Sequence, residues 1–178
     1  MHPKTLIPFL VAPALGHFLQ RDEKSVIDSI SSISEQLTAM NATLDKIQGA
    51  DDAQAAVDFQ NQATQLQSNL QTATDSAKSS AAFTGEESSN VAYSVVGITD
   101  VTYAVLGKVA VKRDVFNKLG GSAITDLVRD ELQGLQNSTL GFGAALTDKF
   151  VKAVQDVAPL LISSLEFHFY QTIQVYTK

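Results

Sequence analysis

Between residues 22 and 48 the apolar positions Val26, Ile30, Ile33, Leu37, Met40, Leu44 and Ile47 recur at alternating spacings of four and three. That rhythm lays one continuous apolar stripe along a helix whose other faces are polar, the seam of a rod packed at a shallow angle on its neighbours. At 1.5 Å per residue the rod is roughly 35–40 Å long. Ser25 with Asp28 offers a capping box at its start, and Gly49 a stop at its end. Residues 52 to 82 repeat the spacing with smaller side chains: Ala56, Phe59, Ala63, Leu66, Leu70, Ala73 and Ala77. Phe83-Thr84-Gly85-Glu86 then reads as one helix ending and another beginning.

The next stretch, VAYSVVGITDVTYAVLGKVAV at 91–111, is rich in strand-forming residues, yet it sustains no period of two. Its glycines, Gly97 and Gly107, stand alone rather than in hairpin pairs. Asp100 near the centre and Lys108 near the end disfavour a membrane span, so no transmembrane segment is expected. Read as a helix, the stretch puts Val91, Val95, Ile98, Thr102, Val105 and Val109 on one face, continued by Phe116 and Leu119. The prediction is a buried helix from about 86 to 118, ended by Gly120-Gly121. A fourth helix follows over 122–147, with Ser122 as its cap and Ile124, Val128, Leu132, Leu135, Phe142 and Leu146 as its seam. The fifth, 149–177, carries Val151, Val154, Ala158, Leu161, Leu165, Phe169, Ile173 and Tyr176, and Pro159 should kink it or split it into two rods. Five helices, short links and no strands make an all-α five-helix bundle.

The chain has 178 residues, enough for one domain with a single core. Its net charge of −6, without a basic block, argues against nucleic acid and anionic membranes as partners. Absence of cysteine removes disulfides, thiol catalysis and cysteine-based zinc sites. The histidines are His2, His17 and His168, too few and too scattered for a metal or nucleophile constellation. GGSAI at 120–124 lacks the frame of a nucleophile elbow, and GFG at 141–143 is a lone GxG within a helical pattern. No cofactor is expected, and no enzymatic activity. Glu131 is the one oddity, a carboxylate on the apolar side of the fourth helix. It either reaches outward from the seam edge or faces an internal cavity.

The amino terminus changes the picture of location. MHPKTLIPFLVAPALGH has one lysine, an apolar core from Leu6 to Leu15, and Ala14 and Gly16 at the spacing of a cleavage site. The expectation is a cleaved signal peptide at 1–16 and a single domain at 17–178; the alternative is an apolar tail. Sequons at Asn41 and Asn137 point the same way, towards secretion, with Asn137 on the side opposite its seam.

Helix two offers mostly alanines where helices three and five offer bulky side chains. Small residues either let helices approach closely or leave a tunnel for an elongated apolar ligand. An acyl chain of sixteen carbons would gain roughly 12 kcal/mol from burial before ordering costs. Candidate lining residues of such a lengthwise cavity are Ile33, Leu37, Phe59, Leu66, Val95, Ile98, Thr102, Tyr103, Val105, Phe116, Leu135, Leu161, Leu165 and Phe169. Thr102 and Tyr103 are the candidates to hold a carboxylate head.

KVAVKRDVFNKLGG at 108–121 sharpens this reading. A basic pair, a Phe three residues after its second member and then Lys-Leu-Gly follow a Val-rich helix and precede a Leu-rich one. Together with the opening Arg21-Asp22 and the closing FYQTIQVY, the chain from about 22 to 177 resembles the fungal hydrophobic surface-binding protein A family, which includes the ligand-binding domains of cell-wall galactomannoproteins. The resemblance implies a secreted or cell-wall-associated five-helix bundle whose lengthwise hydrophobic cavity takes fatty acids such as arachidonate or palmitate. It also implies adsorption to hydrophobic surfaces and recruitment of polyester-degrading secreted esterases. Asp114 stands where many relatives carry proline, and Pro159 is an unusual interruption. Wall-anchored relatives continue into a Ser/Thr-rich tail, whereas this sequence stops at Lys178, so permanent wall attachment is not expected. Three functions follow: a lipid carrier, a surface adhesin that recruits hydrolases, and an enzyme with an unrecognised site.

Overall fold

The computed structural model describes residues 23–177, so the signal peptide expected at 1–16 and His17 lie outside the described residues. Its helices are α1 (Glu23–Lys46), α2 (Ala53–Ser79), α3 (Gly85–Gly97), α4 (Thr99–Val111), α5 (Arg113–Thr147), α6 (Lys152–Gln155) and α7 (Ala158–Val175), with no strand among the described residues. The all-α expectation holds. The seven seam residues from Val26 to Ile47 are all buried, as their spacing requires. Ser25 is not the cap, because α1 has already begun at Glu23; its carbonyl instead accepts a hydrogen bond from Ser29 Oγ at 2.8 Å.

The links are built from side chains that satisfy helix ends. Asp52 accepts the Gln48 and Gly49 amides at 2.8 and 2.9 Å, and those two bonds, Gln48 first, hold its carboxyl below the usual range. Thr84 and Glu87 form a reciprocal capping box: Glu87 N donates to Thr84 Oγ1 at 3.3 Å and Thr84 N to Glu87 Oε2 at 2.7 Å. Lys149 Nζ donates to the carbonyls of Lys78 and Ser80 at 2.9 and 2.6 Å, closing the end of α2. Buried Ser88 accepts the Val151 amide at 3.0 Å and so fixes the start of α6.

The stretch at 91–111 is helical but is not one rod. Ile98 (φ −98°, ψ −4°) separates α3 from α4, and Lys112 (φ −87°, ψ 5°) separates α4 from α5. It is also buried on one side only: Val91, Val105 and Val109 face inward, while Tyr93 is 76% and Val111 85% exposed. By length and composition alone residues 85–111 suffice to cross a membrane. Here they pack on α1 and α7, Asp100 is exposed, and Lys108 Nζ meets Asp45 Oδ1 at 2.6 Å.

The break expected at Gly120-Gly121 lies inside α5. Gly121 has φ +67°, a conformation that an L side chain would strain, so α5 comprises the end of the third predicted helix and all of the fourth. Pro159 stands in the first turn of α7, where its missing amide costs nothing, and the predicted fifth helix is accordingly split into α6 and α7. In cross-section α1 packs on α2, α2 on α5, α5 on α7, α7 on α4, and α4 returns to α1. Five staves thus close a ring, with α3 laid against α1.

This arrangement explains two lysines of the stretch at 108–121. Lys108 near the end of α4 binds Asp45, and Lys112 at the joint that follows donates from Nζ to the Ile47 carbonyl at 2.6 Å, so both secure the end of α1. Phe116, one turn on, enters the core.

Candidate functional site

Two apolar cavities, each partly open to the surface, lie in line along α2 and α5. The first, about 160 Å³, lies between the start of α2 and the middle of α5, with Phe59, Ala63, Val109, Phe116, Leu132 and Leu135 among its walls. The second, about 80 Å³, is bounded by α1, α2, α3, α4, α5 and α7. Along α2 the walls pass from Ala63 to Leu66, and along α5 from Leu135 to Thr139, so about one helical turn separates the cavities. From Ala53 to Leu70 the pair extends roughly 25 Å. A third space, about 420 Å³, is a groove between α3, α5, α6 and α7 that shares Val95, Gly143, Leu146, Leu161 and Ile162 with the second cavity.

Of the candidate residues, Ile33, Leu37, Leu66, Val95, Ile98, Thr102, Leu161, Leu165 and Phe169 line the second cavity. Phe59, Phe116 and Leu135 line the first. Val105 and Tyr103 line neither. Val105 is buried on α4 between Thr102 of one cavity and Val109 of the other, at the level of the septum. Tyr103 turns aside to α7: its hydroxyl shares a 2.9 Å hydrogen bond with Ser164 Oγ, and its ring stacks on His168 at 4.0 Å. His168 Nδ1 donates to the Ser164 carbonyl at 2.8 Å. This cluster joins α4 to α7.

Thr102 donates its hydroxyl proton to the Ile98 carbonyl at 2.8 Å, and Thr99 donates to Val96 at 2.7 Å. Their oxygens are left as acceptors only, unsuited to a carboxylate. Sequence reasoning missed Gly143 and Thr139, both on the second cavity. Gly143, within the GFG that resembled no nucleotide motif, is there for space: a Cβ would stand 3.2 Å from Ile162 Cγ1 and Cδ1.

Among the described residues, Glu131 is the sole charged one lining the first cavity, and none that is charged lines the second or the groove. It is half-buried and accepts a hydrogen bond from Gln67 Nε2 at 3.1 Å across the α2–α5 contact. Burial raises its pKa above the ordinary 4.5. The folded chain therefore holds this proton to higher pH than the unfolded chain. The resulting stability is fully present below the ordinary value and is lost as pH rises through the raised one. Glu131→Gln should accordingly raise the thermal midpoint at pH 8 and leave it nearly unchanged at pH 4, because an amide oxygen can still accept from Gln67. Paired thermal scans at the two pH values check this.

The sequon asparagines differ in setting. Asn137 is exposed on α5, whereas Asn41 is half-buried with its Oδ1 enclosed. Among the described residues no group of His, Asp and Glu is arranged to hold a metal.

A family model described as Hydrophobic surface binding protein A matches residues 24–148. No curated protein matches the chain. Among solved structures, the chain is similar to AFMP4P in complex with palmitic acid, at 22% identity and a TM-score of 0.82 over 87% of this chain and 99% of that one. It is similar to ligand binding domain 1 of the Penicillium marneffei MP1 protein complexed with arachidonic acids, at 12% identity and a TM-score of 0.78 over 86% and 98%. Ligand binding domain 2 of the same protein, complexed with multiple arachidonic acids, gives 13% and 0.79 over 88% and 97%. At these identities the likeness establishes a shared fold.

Proposed function

We propose a lipid-binding role from one premise: the chain belongs to the Hydrophobic surface binding protein A family. The protein is read as a secreted, non-enzymatic carrier that takes a long-chain fatty acid, palmitate or arachidonate, into the interior of its bundle. The observation that carries this reading is the pair of uncharged or nearly uncharged cavities in line along α2 and α5, in a fold that holds palmitic or arachidonic acids in three solved domains. A dry apolar cavity of about 150 Å³ suits a ligand of benzene size. A whole acyl chain therefore needs both cavities joined, and α5 and α7 parting along Gly143 and Ile162 would open the second cavity to the outer groove. Each buried methylene contributes about 0.8 kcal/mol towards that opening. Val105, with Leu66 and Leu135, forms the septum that the chain displaces. Secretion rests on the leader-like residues 1–16, and Asn137 is the glycan acceptor that its exposure favours over Asn41.

Protein purified natively as residues 17–178 and extracted with organic solvent should release stoichiometric fatty acid by mass spectrometry. An empty extract, with no uptake of added palmitate or arachidonate, sinks the reading.

A second reading, adsorption to wax or polyester with recruitment of secreted esterases, is favoured by the outer face of α7. Leu160 is 75% and Phe167 55% exposed there, beside exposed Tyr170 and Val157. Depletion from solution by hydrophobic beads, with a changed near-UV dichroism, supports it; full recovery with an unchanged spectrum counts against it.

A further inference from the structure

The first cavity has a chemistry that a plain acyl tunnel does not need. Its floor is apolar, with Phe59, Phe116, Leu132 and Leu135, but Glu131 is among the residues of its wall. That carboxylate makes one hydrogen bond to the protein among those described, from Gln67 Nε2 at 3.1 Å, although a carboxylate can accept about four. The pair is accommodated by a third residue. Gly134 lies three positions beyond Glu131 on α5, and a Cβ there would come within 2.6 Å of Gln67 Nε2. Absence of that one carbon is what lets the Gln67 amide lie across α5 and reach Glu131. Among the described residues no cation lines either cavity, and Arg129, two residues before Glu131, is held by Asp126 and Asp130 at 2.7 and 3.0 Å.

Resting on the lipid-carrier reading, we propose that Glu131, steadied by Gln67 over Gly134, makes this cavity a recognition site for the hydroxyl or amide head of a neutral lipid. The remaining lone pairs of a partly desolvated carboxylate accept from a head that can donate, and they repel one that is itself an anion. A fatty acid therefore lies with apolar chain, not carboxylate, against Glu131, which stands close to the septum between the two cavities. A fatty alcohol or amide instead sets its head against Glu131.

The test uses phosphatidylcholine vesicles carrying equimolar 1-hexadecanol and palmitate, incubated with the purified protein at pH 8, with the bound lipids measured by mass spectrometry. Chain length is constant, so the ratio of alcohol to acid taken up reads the head group alone. Glu131→Gln removes the charge and supplies a donor to the acid, and it should shift the ratio towards palmitate by about tenfold. Gly134→Ala, which pushes Gln67 away without touching the carboxylate, should change the ratio while circular dichroism keeps its helical form. A ratio that is the same in the wild type and both variants overturns the proposal and leaves the carrier reading standing. Uptake of neither lipid by the wild type overturns the carrier reading, and this proposal with it.

Discussion

Phe116→Ala is expected to destabilise the fold by about 3–5 kcal/mol, the usual cost of deleting a buried ring. Phe116 is 1% exposed, its ring centroid is 6.1 Å from that of Phe59, and it stands between the Lys112 joint and the Gly120-Gly121 break. The backbone there is fixed at both ends: Lys112 is bound to the Ile47 carbonyl, and Gly121 is locked at φ +67°. The walls are thus poorly placed to collapse, and the loss should lie towards the upper part of the range. Urea unfolding followed by far-UV dichroism measures it, with Phe167→Ala, an exposed ring on α7, as the control expected within about 0.5 kcal/mol of wild type. Because Phe116 also walls the first cavity, bound lipid should restore part of the loss, by an amount that rises with the logarithm of its concentration.

Gly143→Leu is expected to lower fatty-acid uptake at least tenfold without unfolding the bundle. A leucine there projects between α5 and α7, into the space shared by the second cavity and the outer groove. Its first carbon already meets Ile162 at 3.2 Å. Crowding costs about 1–3 kcal/mol, and the gain in helix propensity over glycine returns about 1 kcal/mol, so the fold survives. Gly141→Leu is the matched control: the same change of propensity on the same helix, exposed and with nothing within 4 Å of a Cβ. Fluorescent fatty-acid displacement on both variants gives the comparison. Equal loss in both would move the ligand away from the α5–α7 contact, and loss in Gly143→Leu alone places the acyl chain there.

The bundle was legible in the sequence because its seams are long and regular, as from Val26 to Ile47, where every fourth or third residue is apolar and every one is buried. The Gly120-Gly121 break was legible for the same kind of reason, since two adjacent glycines permit what other residues resist. The joints at Ile98 and Lys112 were not, because neither residue signals a stop and the backbone leaves the helical path there only slightly. Cavity walls were harder still. Thr102 and Val105 lie on one face of α4, yet one lines a cavity and the other fills the gap between two, a difference decided by residues on other helices. Gly134 and Gly143 were invisible because an absent side chain acquires meaning only from what lies opposite, Gln67 in one case and Ile162 in the other. Glu131 was legible as an anomaly because a carboxylate interrupts an apolar stripe, and the structure puts it on a cavity wall.

The closed ring of staves runs α1, α2, α5, α7, α4, an order that differs from that of the chain. During synthesis, α1 and α2 can pair as they emerge, and α4 can join α1, but the gap between α4 and α5 waits for α7. Without residues 158–175 the ring lacks the stave that joins α4 to α5, and its interior has no cover on that side. A ring closed by the last of its staves in chain order is one whose interior cannot be sealed until all of residues 23–175 are present.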